Sequence, residues 1–250
     1  MKTLGSSPPR CLTKAIETVC WSLIPGYGFD MNKCNLCGFP VIRIFKGPFG
    51  ARCIGCKSTH IHRAVGQVLE KLNIPDTSHV YELSSRGALF KYLKKRFKNL
   101  MYSEYFDDIQ PGDFKKGIQC QDVQNLTYED ESFDLVTSTE VFEHVPNDEK
   151  GFQEIYRVLK KDGYFVFTVP LLDSEKTIER ARIEDGKIRH YLSPEFHSDR
   201  FRGKNKVLAF RNYGLNIQQK LESIGFSAKI LTLPDPCHII ENVKVIVCKT

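Results

Sequence analysis

Four cysteines stand as two pairs, Cys34-x2-Cys37 and Cys53-x2-Cys56, with fifteen residues between the pairs. A Cys-x2-Cys knuckle curls so that two thiolates meet at one centre, and two knuckles complete a tetrahedral sulfur site. Gly38 and Gly55 fall where such knuckles turn tightly. Soft thiolates in that geometry favour zinc, with iron the other ion the donor set admits. Four protein ligands close the coordination sphere, so the expected ion is structural, in a small zinc ribbon. Cys11, Cys20, Cys120, Cys237 and Cys248 are scattered and read as small buried hydrophobes. Nine cysteines, an odd number in a chain without secretory features, argue against a disulfide framework.

A second set of chemical groups is acidic. Glu82, Glu104, Asp122 and Glu140 each follow an apolar run that reads as a strand: "HVYEL", "NLMYSEY", "GIQCQD" and "FDLVTST". A carboxylate at such a strand end can accept both hydroxyls of a ribose, and another can accept an adenine amino group while the next backbone N–H, that of Val123, donates to the ring. An acid at the end of the first strand can face a cationic amino or sulfonium group. Together they suit a cationic adenosine cofactor with little phosphate. A dinucleotide would want a glycine-lined helix N-terminus for its pyrophosphate, which "ELSSRGAL" lacks.

These acids need a scaffold that brings strand ends together. After "IHRAVGQVLEKL", a helix stopping before Pro75, strands alternate with helices. "GALFKYLKKRF" is one helix. "NDEKGFQEIYRVLKKDG" is another, with Asn147 as N-cap, an apolar stripe of Phe152, Ile155, Tyr156 and Leu159, and Gly163 just past its end. "YFVFTVP" is a strand stopped by Pro170, and "NIQQKLESIGF" a helix ended by Gly225. "SAKILTL" and "NVKVIVCK" are two closing strands with no helix between them, which suggests an antiparallel edge pair. The pattern predicts an α/β fold with a doubly wound, mostly parallel, Rossmann-like sheet of seven strands, whose ligands bind beyond the carboxyl ends of the strands. The charged stretch Asp173 to Arg211 reads as an insertion.

The run "DVQNLTYEDESFDLVTSTEVFEHVPNDEKGFQEIYRVLKKDGYFVFTVP" resembles the core of class I S-adenosylmethionine-dependent methyltransferases of the methyltransferase type 11 group. The group reads Asp-Ala-x-x-Leu-Pro-Phe-x-x-x-Ser-Phe-Asp, then Glu-x-x-Glu-His, then a helix ending Arg-Val-Leu-Lys-x-Gly-Gly. Similarity runs from Asp122 to Pro170 nearly position by position, and more weakly over Val80 to Lys249. The resemblance implies S-adenosyl-L-methionine as cofactor. It places Glu82 and the turn Leu83 to Gly87 on the methionine and ribose side, Glu104 at the ribose hydroxyls and Asp122 with Val123 at the adenine. Ser138 to Glu140 come beside the methionine part, with His144 near the mouth. The group's first motif is acid-x-Gly-x-Gly-x-Gly; here Ser84 is small enough for close backbone approach and Gly87 can supply a positive φ one position off register. Arg86 either points outward or meets the cofactor's carboxylate. "ELSSRGAL", "SEYFDDIQPGD" and "SPEFHSDR" are also similar to a bacterial subgroup associated with cell-surface glycan biosynthesis.

The expected organisation is an N-terminal arm with a short helix over 1–30, the zinc ribbon over 31–60, a connecting helix over 61–75 and the methyltransferase domain over 76–250, carrying the insertion 173–211. Methyl transfer to a sugar hydroxyl also wants a general base, and the candidates are His144, His190 and His197, the last with Asp199 two residues on. The expected acceptor is an oxygen of a glycan or small molecule. An RNA methyltransferase that uses the ribbon to hold its substrate is the alternative, permitted by the net charge of +6. Against it, Glu140-Val141-Phe142 replaces the Asn/Asp-Pro-Pro-aromatic run of base-amino methylation, and no basic stripe interleaved with aromatics is present. A cofactor-binding or zinc-mediated interaction protein without turnover is the third class. No apolar run matches a membrane span, so no membrane insertion is expected. "CLTKAIETVCWSLIP" is broken by Lys14 and Glu17, which argues against a signal peptide and for a cytoplasmic enzyme.

Overall fold

A computed structural model of the chain describes residues 33–44, 50–199, 203–235, 237 and 242–250, with 199 and 203–205 as backbone only. The short helix expected within 1–30 lies outside the described residues. The chain first forms a short hairpin, β1 (Val41–Arg43) and β2 (Ala51–Cys53), and then helix α1 (His60–Leu72). Strands and helices follow in alternation: β3 (His79–Glu82), α2 (Gly87–Arg96), β4 (Asn99–Glu104), β5 (Phe114–Lys115), β6 (Ile118–Cys120), β7 (Phe133–Thr139), α3 (Asp148–Val158) and β8 (Leu159–Thr168). The expected insertion contributes β9 (Ile178–Glu179), β10 (Ala181–Glu184), β11 (Lys187–His190), β12 (Phe196–Asp199), β13 (Gly203–Leu208) and β14 (Arg211–Asn212). Helix α4 (Ile217–Ile224), β15 (Ser227–Leu233) and β16 (Val243–Lys249) close the chain.

The main sheet has the order β15-β16-β8-β7-β3-β4-β6-β5. Neighbours β8, β7, β3, β4 and β6 pair in parallel. Strand β16 enters antiparallel between β15 and β8, the edge arrangement expected from two closing strands without a helix between them. The seven expected strands are all present, and the two-residue β5 adds an eighth at the far edge. Strand order reverses at β3, which pairs with β4 on one side and β7 on the other. That reversal opens a crevice beyond the carboxyl ends of the strands.

Side-chain alternation fixes which helix packs where. Val80, Leu135, Val166 and Val245 face one layer, formed by Val65, Val68 and Leu69 of α1 and by Leu89 and Leu93 of α2. Their sequence neighbours Tyr81, Val136, Phe165, Phe167 and Ile246 face the other layer, formed by Phe152, Ile155 and Val158 of α3 and by Ile217 and Leu221 of α4. The second face is aromatic: Phe142 stacks on Phe152 at 4.3 Å and Phe165 on Phe167 at 4.3 Å.

Two sequence expectations change. Helix α3 ends at Val158, and Leu159 already pairs with Phe133, so Gly163 serves a turn within β8 rather than a helix cap. A Cβ at Gly163 would come within 2.8 Å of the Lys160 carbonyl, which explains the glycine. The stretch 173–211 is built structure, three two-stranded antiparallel ladders pairing β9 with β14, β10 with β11 and β12 with β13. Among the described residues, no helix is long and apolar enough to cross a membrane.

The cysteine hairpin is tied to the main sheet by a buried ion pair. Arg63 of α1 donates from Nε and Nη2 to the two carboxylate oxygens of Asp235, each at 2.9 Å, with both side chains fully buried. Its Nη1 donates to the Ser58 carbonyl, just after the second knuckle. Cys237 packs with Cys34, Val41 and Cys53 in one cluster. At the start of α1, the Thr59 hydroxyl accepts from the His62 amide while His62 Nδ1 accepts from the Thr59 amide, a reciprocal cap.

Candidate active site

The crevice holds a cavity of about 470 Å³ lined by residues from all four strand ends and from the insertion. Glu104, Asp122, Val123, Glu140 and His144, all singled out in the sequence, line it. Glu104 is fixed by the first turn: its Oε1 accepts from the Ser85 amide and hydroxyl, both at 2.8 Å, and from Ser84 Oγ at 3.3 Å. Arg86 turns toward the same carboxylate, with Nε 3.8 Å from Oε1. Gly87 has φ +91°, the positive angle its place in the motif suggested. The turn with one glycine therefore organises itself around the acid of the neighbouring strand.

Asp122 sits in an equally defined place. Its Oδ1 accepts from the Gln124 amide at 2.9 Å, and the Gln124 side-chain amide donates to both carboxylate oxygens. Gln124 Oε1 in turn accepts from the Asn147 amide, which links Asp122 to the start of α3. Asn147 caps that helix as expected, accepting from Lys150. Gly151 lets α3 approach the cavity floor. A Cβ there would lie 3.0 Å from Phe142 and within 3.6 Å of both Val123 and Val145, two apolar walls of the cavity.

Other expected residues stand back from the cavity. Glu82 is buried beneath it, accepts from the Thr137 hydroxyl, and has its carboxyl pushed up to about 8 by burial. Ser138 is fully buried, with its hydroxyl unpaired among the described residues. His190 lies on the exposed strand β11, and the structure does not bring it to the cavity.

His197 meets His144 at the mouth, with their rings edge to face at 4.7 Å and His197 Nδ1 3.1 Å from His144 Nε2. His144 Nδ1 lies 2.8 Å from the Leu208 carbonyl, and His197 Nε2 lies 3.2 Å from Glu195 Oε1. Hydrogen bonding to His197 holds the Glu195 carboxyl below its ordinary range. Glu143, 1% exposed, lies beneath both rings. Burial, followed by the neighbouring Glu140, drives its carboxyl well up, and burial also raises that of Glu140.

Glu143, Gln124, Gly151 and Arg211 were not singled out from sequence, although Glu143 belongs to the quoted Glu-x-x-Glu-His run. Arg211, 3% exposed, donates to the carbonyls of Val145 at 2.5 Å and Pro146 at 2.7 Å, and pairs with Glu179. The Phe210 amide donates to the Glu143 carbonyl. The insertion thereby clamps the segment that carries Glu143 and His144.

At the other centre, the sulfurs of Cys34, Cys37, Cys53 and Cys56 all lie within 4.8 Å of one another. Cys34 and Cys56 approach to 3.7 Å, and Cys37 and Cys53 to 3.3 Å. Thiolates bound tetrahedrally at zinc stand about 3.8 Å apart, so the donor set fits that ion with small adjustment.

A family model described as a methyltransferase domain matches residues 83–167. The chain is similar to phthiotriol/phenolphthiotriol dimycocerosates methyltransferase 1 of Mycobacterium ulcerans (strain Agy99), 32% identical over 97 residues. That match spans 38% of this chain and 34% of the relative's length. Among solved structures, a chain from the complex of the Haloferax volcanii Trm112 methyltransferase activator with a methyltransferase superposes with a TM-score of 0.50. It is 12% identical, over 76% of this chain and 88% of that one. An S-adenosylmethionine-dependent methyltransferase from Mesorhizobium loti gives 0.49 at 12% identity, over 75% and 98%. At such identity the likeness lies in the fold alone, the mostly parallel, Rossmann-like sheet described above.

Proposed function

We propose that this chain, built on a class I S-adenosylmethionine-dependent methyltransferase domain, transfers a methyl group to an oxygen of a glycan or another small acceptor. The observation that carries the reading is the crevice, where Leu83, Glu104 (held by the Ser85 amide) and Asp122 converge on one cavity. Glu104 keeps a second carboxylate oxygen for a ribose. Asp122 and Val123 form a polar edge beside the apolar walls Val123 and Val145, which suits adenine. Glu140 lines the wall near the place where a sulfonium would lie, with Glu82 buried beneath.

The cofactor supplies an activated methyl group whose transfer is an in-line displacement, breaking the sulfur–carbon bond as the oxygen–carbon bond forms. The chain's own task is to hold the acceptor oxygen on that axis and keep water out. The walls Leu83, Val141, Val207, Leu208 and Phe210 exclude water. An acceptor hydroxyl must also shed its proton, and Glu143, His144 and His197 are the groups gathered at the mouth that can activate it.

The lining disfavours the RNA alternative. Its acids are Glu104, Asp107, Asp122 and Glu140, and among the described residues Lys206 is the one lysine beside them in the lining. A phosphate backbone entering there would meet carboxylates. The cysteine cluster, on this reading, holds a structural zinc ion and braces α1.

Two measurements test the reading. Calorimetry with S-adenosylhomocysteine should give one site, lost in Asp122→Ala while thermal unfolding stays cooperative; unchanged affinity in that variant would remove the adenine assignment. Tritiated methyl transfer into extract fractionated as glycan, lipid, nucleic acid and small-molecule pools should label glycan or small molecules. Label confined to RNA would overturn the acceptor class.

A further inference from the structure

Three acceptor atoms meet at the mouth of the cavity. A carbonyl oxygen can only accept, so His144 Nδ1, 2.8 Å from Leu208 O, carries a proton, and the neutral ring presents a lone pair at Nε2. An ionised carboxylate can only accept, so His197 Nε2, 3.2 Å from Glu195 Oε1, carries a proton, and its lone pair is at Nδ1. Those two lone pairs face each other at 3.1 Å. Glu143 Oε1 lies 3.5 Å from the first nitrogen and 3.8 Å from the second. Both Glu143 carboxyl oxygens are buried and have no hydrogen-bond partner among the described residues. A buried carboxyl left so is costly, and a cation bound beside it would ionise and satisfy it.

We infer that Glu143, His144 and His197 bind a divalent first-row transition cation at the cavity mouth, distinct from the cysteine site, and that the ion takes the acceptor oxygen at its open positions. The three ligand atoms lie within 4.8 Å of one another. Imidazole nitrogens bound at about 2.0–2.1 Å stand about 2.9–3.4 Å apart, from octahedral to tetrahedral angles, and the observed 3.1 Å falls between. The carboxylate needs to move only by a few tenths of an ångström. Two imidazoles and one carboxylate favour zinc, manganese or iron(II) over magnesium or calcium. The Leu208 carbonyl and Glu195 fix the ring tautomers from behind, the outer support that metal-bound histidines require.

Three protein ligands leave coordination positions facing the cavity, which His144 lines beside Glu140, Ser198 and Leu208. An acceptor hydroxyl bound there would lose its proton to solvent as its oxygen became metal-bound alkoxide, and that oxygen would then take the methyl group. This role rests on the methyl-transfer reading; the metal site itself does not.

The test is metal content of the full chain, stripped with chelator and dialysed against Zn²⁺ or Mn²⁺, for wild type, His197→Ala, Glu143→Gln and Cys53→Ser. We expect wild type to hold one equivalent of Zn²⁺ more than either His197→Ala or Glu143→Gln, while Cys53→Ser keeps the ion at the mouth. With Co²⁺, the ion lost in His197→Ala should lack sulfur charge-transfer absorption. S-adenosylhomocysteine affinity, measured alongside, separates failure of this site from failure of the methyl-transfer reading. Equal Zn²⁺ and Mn²⁺ content in wild type and both mouth variants would overturn the inference and leave a proton shared between the two histidines. His197 is partly exposed on β12, so its truncation tests the site without emptying the core.

Discussion

Glu82 lies in a fully buried position where water would otherwise solvate a carboxylate, and the hydroxyl of Thr137 is its hydrogen-bond donor. Its folded pKa of about 8 exceeds the ordinary 4.5, so the folded chain holds this proton more tightly than the unfolded one. That stabilisation is complete below pH 4.5 and is lost as pH rises through 8, a change on the order of a few kcal/mol. The melting temperature of the cofactor-free protein should therefore fall across that window, and Glu82→Gln should flatten the fall. A wild-type profile already flat there would mean that Glu82 is ionised in the fold. At the mouth, His197→Ala should lower turnover by roughly 10²–10⁴-fold, the range of lost proton-transfer or ion-assisted activation, with S-adenosylhomocysteine affinity unchanged. Wild-type turnover would clear His197 of a role.

Between elements, the tie of α1 to the sheet rests on Arg63 and Asp235. Both are fully buried and bidentate, so removing one partner strands a charge. Asp235→Asn should destabilise the chain by about 3–5 kcal/mol in urea unfolding; a change under ~1 kcal/mol would mean that water reaches the pair. This pair also marks a limit of what sequence conveys, since its members are 172 residues apart. Period and punctuation made most elements legible: the alternation of Val80 and Tyr81, the Asn147 cap and the Gly225 stop follow from local chemistry. The end of α3 did not, because Leu159 is drawn out of the helix by pairing with Phe133. Charge and loop-forming residues made 173–211 look irregular, whereas cross-strand pairs such as Ile183 with Ile188 organise it. The acids at the strand ends were legible because each closes its own apolar run. Arg211 was not, since its meaning lies in carbonyls 65 and 66 residues earlier that only the fold brings near.

At the scale of the molecule, the reversal of strand order at β3 decides where everything else gathers. The sheet delivers Glu104, Asp122 and Glu140 to one side, and the insertion lines the opening with Ser198, Val207 and Phe210. A methyl donor held by the sheet and an acceptor held by the insertion would meet where Glu140 and His144 line the wall. The central claim is that this crevice grips an adenosyl cofactor, and a crystal structure of the full chain with sinefungin tests it most directly. The expected result is sinefungin with its ribose on Glu104 and its adenine between Asp122 and Val145. A crevice that stays empty at saturating sinefungin, or ligand bound elsewhere on the chain, would contradict it.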